Sequence, residues 1–482
     1  MSYGDYEAVI GLEVHAQLLT RSKIFCSCST TFGMEPNSLT CPTCMGLPGA
    51  LPTLNKKVLE YAIKLGLSLN CEINRRSLFA RKNYYYPDLP KGYQISQYEE
   101  PLCEGGYLDI LVDGGRKRVR IKRIHMEEDA GKLSHESSID RSSFSLVDYN
   151  RASVPLLEIV SEPDIRSPKE ATAYLRMLRD VLVYLEICDG NMEEGSLRCD
   201  ANVSVRRKEE ERLGTRTELK NLNSFRFIER ALEYEIRRQI EVIERGGEVI
   251  QETRLFNPDE GITYSMRGKE EAHDYRYFPD PDLLPILVEE KLIEEIRATL
   301  PELPLQKIER FMRDYGLPLY DAEILVSERD LADYFEEVVR HFNEPKTVSN
   351  WMLTELLREL KESRTTARDS NFGPQHLAEL LSLMKDGTIS VRMGKEIFHE
   401  LFISGESPAE FVRKRGLLQI TDERSIEEVA RRVLESYPKE VEEFRRGKEK
   451  LLGFFVGQLM KETKGKANPK LANEILLRIL RG

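Results

Sequence analysis

The chain has 482 residues, 40% hydrophobic and 32% charged, with a formal net charge of −11. That length exceeds one compact core and points to about three domains. Its apolar runs fall far short of the roughly 18 residues a membrane span needs, and no basic-then-apolar leader opens the chain, so a cytoplasmic protein with no membrane contact is expected. Charge is uneven along the sequence. Residues 411–482 carry 17 Lys and Arg against 11 Asp and Glu. A basic tail on an acidic body suits contact with a polyanion.

Tyr6–Leu18 alternates as a strand, with Ile10, Leu12, Val14 and Ala16 on one side and Glu13, His15 and Gln17 on the other. A carboxylate and an imidazole two residues apart share one face and suit a metal site. Cys26-Ser27-Cys28 and Cys41-Pro42-Thr43-Cys44 follow. Two thiolate pairs joined by a short loop match a closed, structural tetrahedral zinc site. Asn55 caps a helix that runs to about Leu69. The stretch Arg81–Pro101 is rich in Tyr, Pro and Gly and is expected to be a long loop without regular elements. Its tyrosines and cations suit a nucleotide base or an RNA end.

Arg118–Met126 reads as a strand, and His125–Lys132, HMEEDAGK, crowds Glu127, Glu128 and Asp129 at its end. Acids on the rim between strand and loop are accessible and rigidly held, and oxygen-rich clusters suit a hard cation. Glu158 lies inside the apolar run Pro155–Val160, where an unpaired carboxylate is costly. Ser167-Pro168-Lys169-Glu170 opens a helix with a capping box, whose buried stripe is Leu175, Leu178, Leu182 and Leu185. Ser196–Arg206 alternates cleanly, with Ser196, Arg198, Asp200 and Asn202 on the polar side. Thr215–Asn223 stays polar, and a helix runs from about Phe225 to Arg245, stopped by Gly246-Gly247. Beyond Arg276–Pro281 helical periodicity dominates, with boundaries expected near residue 294 and near Gly405–Pro408. A basic turn in Lys461–Leu480 enters a last helix at Asn468-Pro469. The chain has neither a Walker A motif nor a GxSxG elbow.

Seven stretches in one order carry a family likeness: VIGLEVHAQL, RKNYYYPDLPKGYQISQ, HMEEDAGK, PLLEIVSEPDIRSPKEA, MEEGSLRCDANVSVR, ELKNLNSF and DYRYFPDPDLLP. The chain resembles, over essentially its whole length, the B subunit of the tRNA-dependent amidotransferase. The resemblance implies an α+β protein. A cradle built on an antiparallel sheet (1–293, with a zinc loop at 26–44) precedes a helical domain (294–407) and a small basic helical tail (408–482) that binds tRNA. It implies a ligase that uses ATP and magnesium to phosphorylate the side-chain carboxylate of Glu-tRNA(Gln) or Asp-tRNA(Asn). Ammonia from the amidase, the A subunit, then gives the amide, in a heterotrimer completed by a small C subunit. Glu13, His15, Glu128 and Glu158 match the family's magnesium positions and are expected to converge. Lys82, Arg198 and Lys220 are expected to be catalytic, and Arg81, Tyr84, Ser196 and Asp200 to contact ATP. Cys26, Cys28, Cys41 and Cys44 are expected to hold structural zinc. The rival is a non-catalytic protein that only delivers tRNA to a partner enzyme; the acid-rich cradle and Glu158 argue against it.

Overall fold

The computed structural model describes residues 3–135, 145–266, 275–417, 423–463 and 467–481. The chain divides into two compact units, residues 1–307 and 308–482. In chain order the first holds β1 (Tyr6–Gln17), α1 (Lys56–Ser68), β2 (Glu72–Ile73), β3 (Arg76–Ser77), β4 (Ala80–Asn83), β5 (Tyr93–Ser96), β6 (Cys103–Val112) and β7 (Gly115–Glu128). Then come β8 (Lys132–His135), β9 (Ser145–Asp148), β10 (Pro155–Ser161), α2 (Pro168–Tyr184), β11 (Leu197–Arg207), β12 (Thr217–Lys220) and α3 (Phe225–Glu244). Strands β13 (Thr253–Asn257), β14 (Ile262–Ser265), β15 (Phe278–Pro279) and β16 (Ile286–Leu287) and helix α4 (Glu290–Arg297) complete it.

Nine strands form one sheet in the order β14-β13-β12-β11-β1-β10-β7-β6-β2. It is antiparallel except at β12–β13. The protein is therefore α+β. Strand β1 sits at the centre, paired with β10 and β11. Its alternation decides the two faces: Ala8, Ile10, Leu12, Val14 and Ala16 are no more than 1% exposed, while the odd positions face the other way. Helices α1, α2 and α3 pack on the apolar side against β6, β7 and β11. Ser167 caps α2 through the Glu170 amide, with Pro168 in its first turn. The stripe Leu175, Leu178, Leu182 and Leu185 is buried; each such leucine stabilises by about 2 kcal/mol relative to exposure.

Two expectations change. Arg81–Pro101 is not without regular structure: β4 and β5 pair antiparallel within it, and β15 joins them as a third strand. The stabilising partner, Phe278–Pro279, is almost 200 residues away, and local composition carries no trace of it. Strand β7 continues to Glu128, beyond the expected end at Met126.

The second unit is helical. α5 (Pro304–Tyr315) leads into it, followed by α6 (Leu319–Val326), α7 (Arg329–His341), α8 (Pro345–Trp351), α9 (Leu357–Ser363), α10 (Pro374–Lys385) and α11 (Val391–Ser404). A π-turn, Met352–Leu356, joins α8 to α9. Then come α12 (Pro408–Lys414), which packs on α10, and α13 (Glu423–Ser436), α14 (Pro438–Arg445), α15 (Leu451–Glu462) and α16 (Pro469–Arg481). Ile426, Val433, Phe444, Phe455, Leu459 and Ile475 give α13 to α16 a core of their own. Part of the expected basic turn, residues 464–466, lies outside the described residues. Among the described residues no helix is long and apolar enough to cross a membrane.

Candidate active site

Strand register builds the site. Glu158 of β10 lies directly opposite His15 of β1 on one side and His125 of β7 on the other. His15 in turn lies opposite Arg198 of β11, and Glu13 opposite Asp200. Directly opposed residues share a face, so these side chains form one polar surface on the side of the sheet away from the helices. Glu127 belongs to it by parity with His125.

At its centre two imidazoles face two carboxylates. His15 Nε2 is 3.4 Å from Glu158 Oε2 and 3.6 Å from Glu127 Oε1. His125 Nε2 is 3.3 Å from Glu158 Oε2 and 3.7 Å from Glu127 Oε2. These spans exceed the roughly 2.7–2.9 Å of a formed charge-assisted hydrogen bond. Ligand atoms of His15, Glu127 and Glu158 all lie within 4.8 Å of one another, a set that could hold a metal ion. Glu127, Glu158 and His125 are buried, and among the described residues His125 Nδ1 has no hydrogen-bond partner. Burial works against protonating His125, but Glu158 and Glu127 raise its pKa to about 9. Burial would raise Glu158; His125 and His15 beside it hold the carboxyl well below the usual range. Burial and the Glu158 charge raise Glu13, whose side chain accepts from Asn202 Nδ2 at 3.2 Å.

Cations ring this centre. Arg198 Nη2 donates to Asp129 Oδ1 at 2.9 Å, and Gln17 Nε2 donates to Asp129 Oδ2 at 2.7 Å. Asp129, buried, thereby fixes Arg198 beside the cluster. Lys220 pairs with Asp200 at 2.7 Å and Glu218 at 3.1 Å. Lys82 has no carboxylate within ion-pair distance among the described residues; burial works against its charge, which Glu127, Tyr277 and Glu158 favour. Its Nζ lies 4.9 Å from the centre of the Tyr275 ring. Tyr84 packs edge-on to Tyr275, with ring centres 5.8 Å apart.

Three expected members stand elsewhere. Glu128 does not join Glu13, His15 and Glu158. It bonds Lys91 Nζ at 2.5 Å, the Ile95 amide at 2.8 Å and Ser153 Oγ at 2.6 Å. Because β7 runs on through Glu128, the period of two turns Glu127 toward His125 and Glu128 away. Arg81 lies on the opposite side of β4 from Lys82. Its guanidinium is taken up by Asp280 at 2.9 Å and Asp282 at 2.8 Å. Ser196 braces the turn before β11, bonding the Asp189 side chain and the Asn191 carbonyl. Glu127 and Asp129 stand out in the sequence as part of the acid cluster, and Gln17 as a neighbour of His15 on its strand face, but without a role; Tyr275 has only a long-range signal. Counting by twos from His125 picks Glu127 over Glu128.

The four-cysteine loop also converges. The sulfurs of Cys26, Cys28, Cys41 and Cys44 lie within 4.8 Å of one another and could hold a metal ion. None is in a disulfide. Lys23, fully buried, brings Nζ to 3.8 Å from Cys44 Sγ and donates to the Leu39 and Tyr149 carbonyls. The Cys26 side chain, and then the Cys41 amide and the Lys23 charge, outweigh burial and lower the Cys44 thiol to about 5.

With this geometry in hand, the family profile described as "GatB/GatE catalytic domain" matches residues 8–294, and that described as "GatB domain" matches residues 333–480. The B subunit of the aspartyl/glutamyl-tRNA(Asn/Gln) amidotransferase of Thermodesulfovibrio yellowstonii is 60% identical over 477 residues, covering 99% of this chain and 100% of that one. The chain belongs to the amidotransferase B-subunit family. A Geotalea daltonii protein of the same name is 59% identical over 478 residues, and one from Persephonella marina 54% over 478, each covering 99% of this chain and 100% of its own. The catalytic-domain match takes in the whole sheet except the first two residues of β1, and all the residues of the acid–imidazole cluster.

Proposed function

We propose that this chain, as the B subunit of a tRNA-dependent amidotransferase, activates the side-chain carboxylate of Glu or Asp esterified to tRNA(Gln) or tRNA(Asn). The observation that supports this best is the meeting of Glu127, Glu158, His15 and His125 on an open sheet face beside Lys82 and Arg198. Two buried carboxylates and an imidazole are a donor set for a divalent cation such as magnesium or manganese. His15, Glu127 and Glu158 would hold it, with Glu13 next along β1; bound there, it would offset phosphate charge and orient the phosphoryl group.

A carboxylate is a poor acyl donor. In the reaction its oxygen attacks the γ-phosphorus of ATP, and the bond to ADP breaks. The acyl phosphate then accepts ammonia at its carbonyl carbon, and inorganic phosphate leaves. Lys82 carries an uncommitted ammonium for the transferring phosphoryl oxygens. Arg198, oriented by Asp129 and Gln17, stands on the same face for the substrate carboxylate. Lys220 is held by Asp200 and Glu218, and Tyr84 packs on Tyr275 beside Lys82; these are the remaining candidates for contact with ATP. Arg81 and Ser196 are engaged in internal bonds and serve the scaffold.

The ammonia is supplied by the amidase, the A subunit, and a small C subunit completes a cytoplasmic heterotrimer. The four cysteines hold structural zinc, and the basic tail meets the tRNA body. The test is phosphate release from ATP by the assembled complex, given misacylated tRNA and no glutamine. Release that depends on the aminoacyl group supports activation in this chain. Unchanged release by a Glu158→Gln variant would overturn it in favour of mere delivery of tRNA.

A further inference from the structure

Asp129, which fixes Arg198, lies one residue beyond the end of β7. Strand register therefore does not hold it as it holds His125 and Glu127. Its backbone bonds go to the turn before β10 instead. The Asp129 amide donates to the Val154 carbonyl at 2.8 Å, and the Ser153 amide donates to the Asp129 carbonyl at 2.9 Å. Where that turn sits decides where the Arg198 side chain is held.

The turn is itself under strain. Ser153 has φ +66°, in the left-handed region that a residue with a side chain adopts at a cost. Such a conformation persists only where the surroundings over-determine it. Two consecutive residues ahead of the four cysteines supply that hold. The Ile24 amide donates to the Ser153 carbonyl at 3.0 Å. The Lys23 ammonium donates to the Tyr149 carbonyl at 3.2 Å. One main-chain bond and one side-chain bond thus clamp the two ends of residues 149–153.

Lys23 is the unusual member of this pair. It is 0% exposed, and among the described residues no carboxylate lies within ion-pair distance of it. Its Nζ has the Leu39 and Tyr149 carbonyls and, at 3.8 Å, Cys44 Sγ. A buried ammonium without a counter-charge is costly. Four thiolates around one zinc ion carry a surplus of about two negative charges. The cysteine cluster beside Nζ is therefore the counter-charge that Lys23 otherwise lacks.

We infer that Lys23 is a positioning residue for the activation step: its ammonium offsets part of the metal–thiolate charge and, anchored there, holds the Tyr149–Ser153 turn that sets Asp129 and, through it, Arg198. The inference rests on the zinc reading proposed above and gives that loop a part in the reaction. The acid–imidazole cluster is held by the sheet and does not depend on Lys23. The orientation of the Arg198 side chain does.

The test uses the assembled complex, with Lys23→Met to remove the charge and keep the stem, and Lys23→Arg to keep the charge. Wild type should carry about one zinc per chain. Lys23→Met should lose it to a chelating dye about tenfold faster, and Lys23→Arg should recover part of the difference. Aminoacyl-dependent phosphate release by Lys23→Met should fall about tenfold in kcat, with KM for ATP unmoved. Adding Lys23→Met to Asp129→Asn should lower kcat no further than Asp129→Asn alone, because the two act in series. A merely structural lysine would give additive losses. If Lys23→Met does not fold, wild type stripped of zinc and then reloaded decides the matter: release should fall about tenfold and return with zinc ion. Unchanged release on stripping, additive losses, or equal zinc retention in Lys23→Met and wild type each overturns the inference and leaves the zinc reading standing. A wild-type complex that binds no zinc at the four cysteines overturns both.

Discussion

Glu127 and Glu128 are neighbours at the end of one strand, both buried, and their surroundings differ in kind. Glu128 is fully partnered by an ammonium, an amide and a hydroxyl at 2.5–2.8 Å. Glu127 meets two imidazoles at 3.6–3.7 Å and a serine hydroxyl at 3.2 Å. The same division separates Arg81, clamped by two aspartates, from Lys82, which among the described residues has no carboxylate at ion-pair distance. A buried charge whose partners are complete builds the fold. One held near others at slightly excessive distance, facing an open surface, is arranged for something that arrives from outside. The period of two along a strand is what lets one short sequence do both.

Sharpening this contrast starts with the cluster. Glu158→Gln should lower aminoacyl-dependent phosphate release on the order of 10³-fold, as loss of a preorganised charge does in other enzymes. The fold should survive, and glutamine hydrolysis by the amidase partner without tRNA should continue; steady-state phosphate assays and calorimetry read these separately. On the other face, Glu128→Gln should leave the Lys91 ammonium, whose side chain is 7% exposed, without its counter-charge. Removing one partner of a buried pair costs about 3–5 kcal/mol. Urea denaturation should show that loss, and any surviving folded enzyme should retain its KM values.

The smaller contrast follows at β4. Lys82→Met should reduce turnover on the order of 10²-fold with little change in melting temperature. Arg81→Met should do the reverse, losing about 1.5–3 kcal/mol of stability with its charged hydrogen bonds. Equal effects on turnover would erase the distinction between clamped and uncommitted cations.

The four-cysteine loop, which could hold a metal ion, gives a case in which metal would complete the partners. Purified protein should carry about one zinc per chain, with Zn–S distances near 2.3 Å by X-ray absorption. Cys41→Ser should lower occupancy and loosen the loop while sparing the cluster geometry. The smallest effect is expected at the tail. Deleting residues 411–482 should weaken tRNA binding about tenfold and flatten its salt dependence, because fewer phosphates are neutralised. Glutaminase activity should be unchanged. Unaltered tRNA affinity would make the tail a purely structural appendage.

Much of this was legible in the residues. The alternation of β1 and β11, the capped leucine-striped helix α2 and the paired cysteines follow from local periodicity and spacing. Glu158 announced itself as a carboxylate in an apolar run. The hairpin β4–β5 was not legible, since β15, which completes its sheet, lies almost 200 residues away. The choice between Glu127 and Glu128 turned on where β7 ends, and strand ends depend on pairing with β10 more than on composition.

By itself, then, the sequence determined which side chains exist at each strand position, which helices bury which stripe, and which chemistry a row of acids, imidazoles and thiols can support. Only the tertiary structure decided which of them meet. Register across β11, β1, β10 and β7 brings Arg198, His15, Glu158 and His125 into one line from four separate stretches. One residue of strand length sends Glu127 to that line and Glu128 to Lys91. Side-chain chemistry is a local property, but convergence on a face depends on pairings between distant strands, and hydrogen-bond ladders fix those only when the whole sheet has formed.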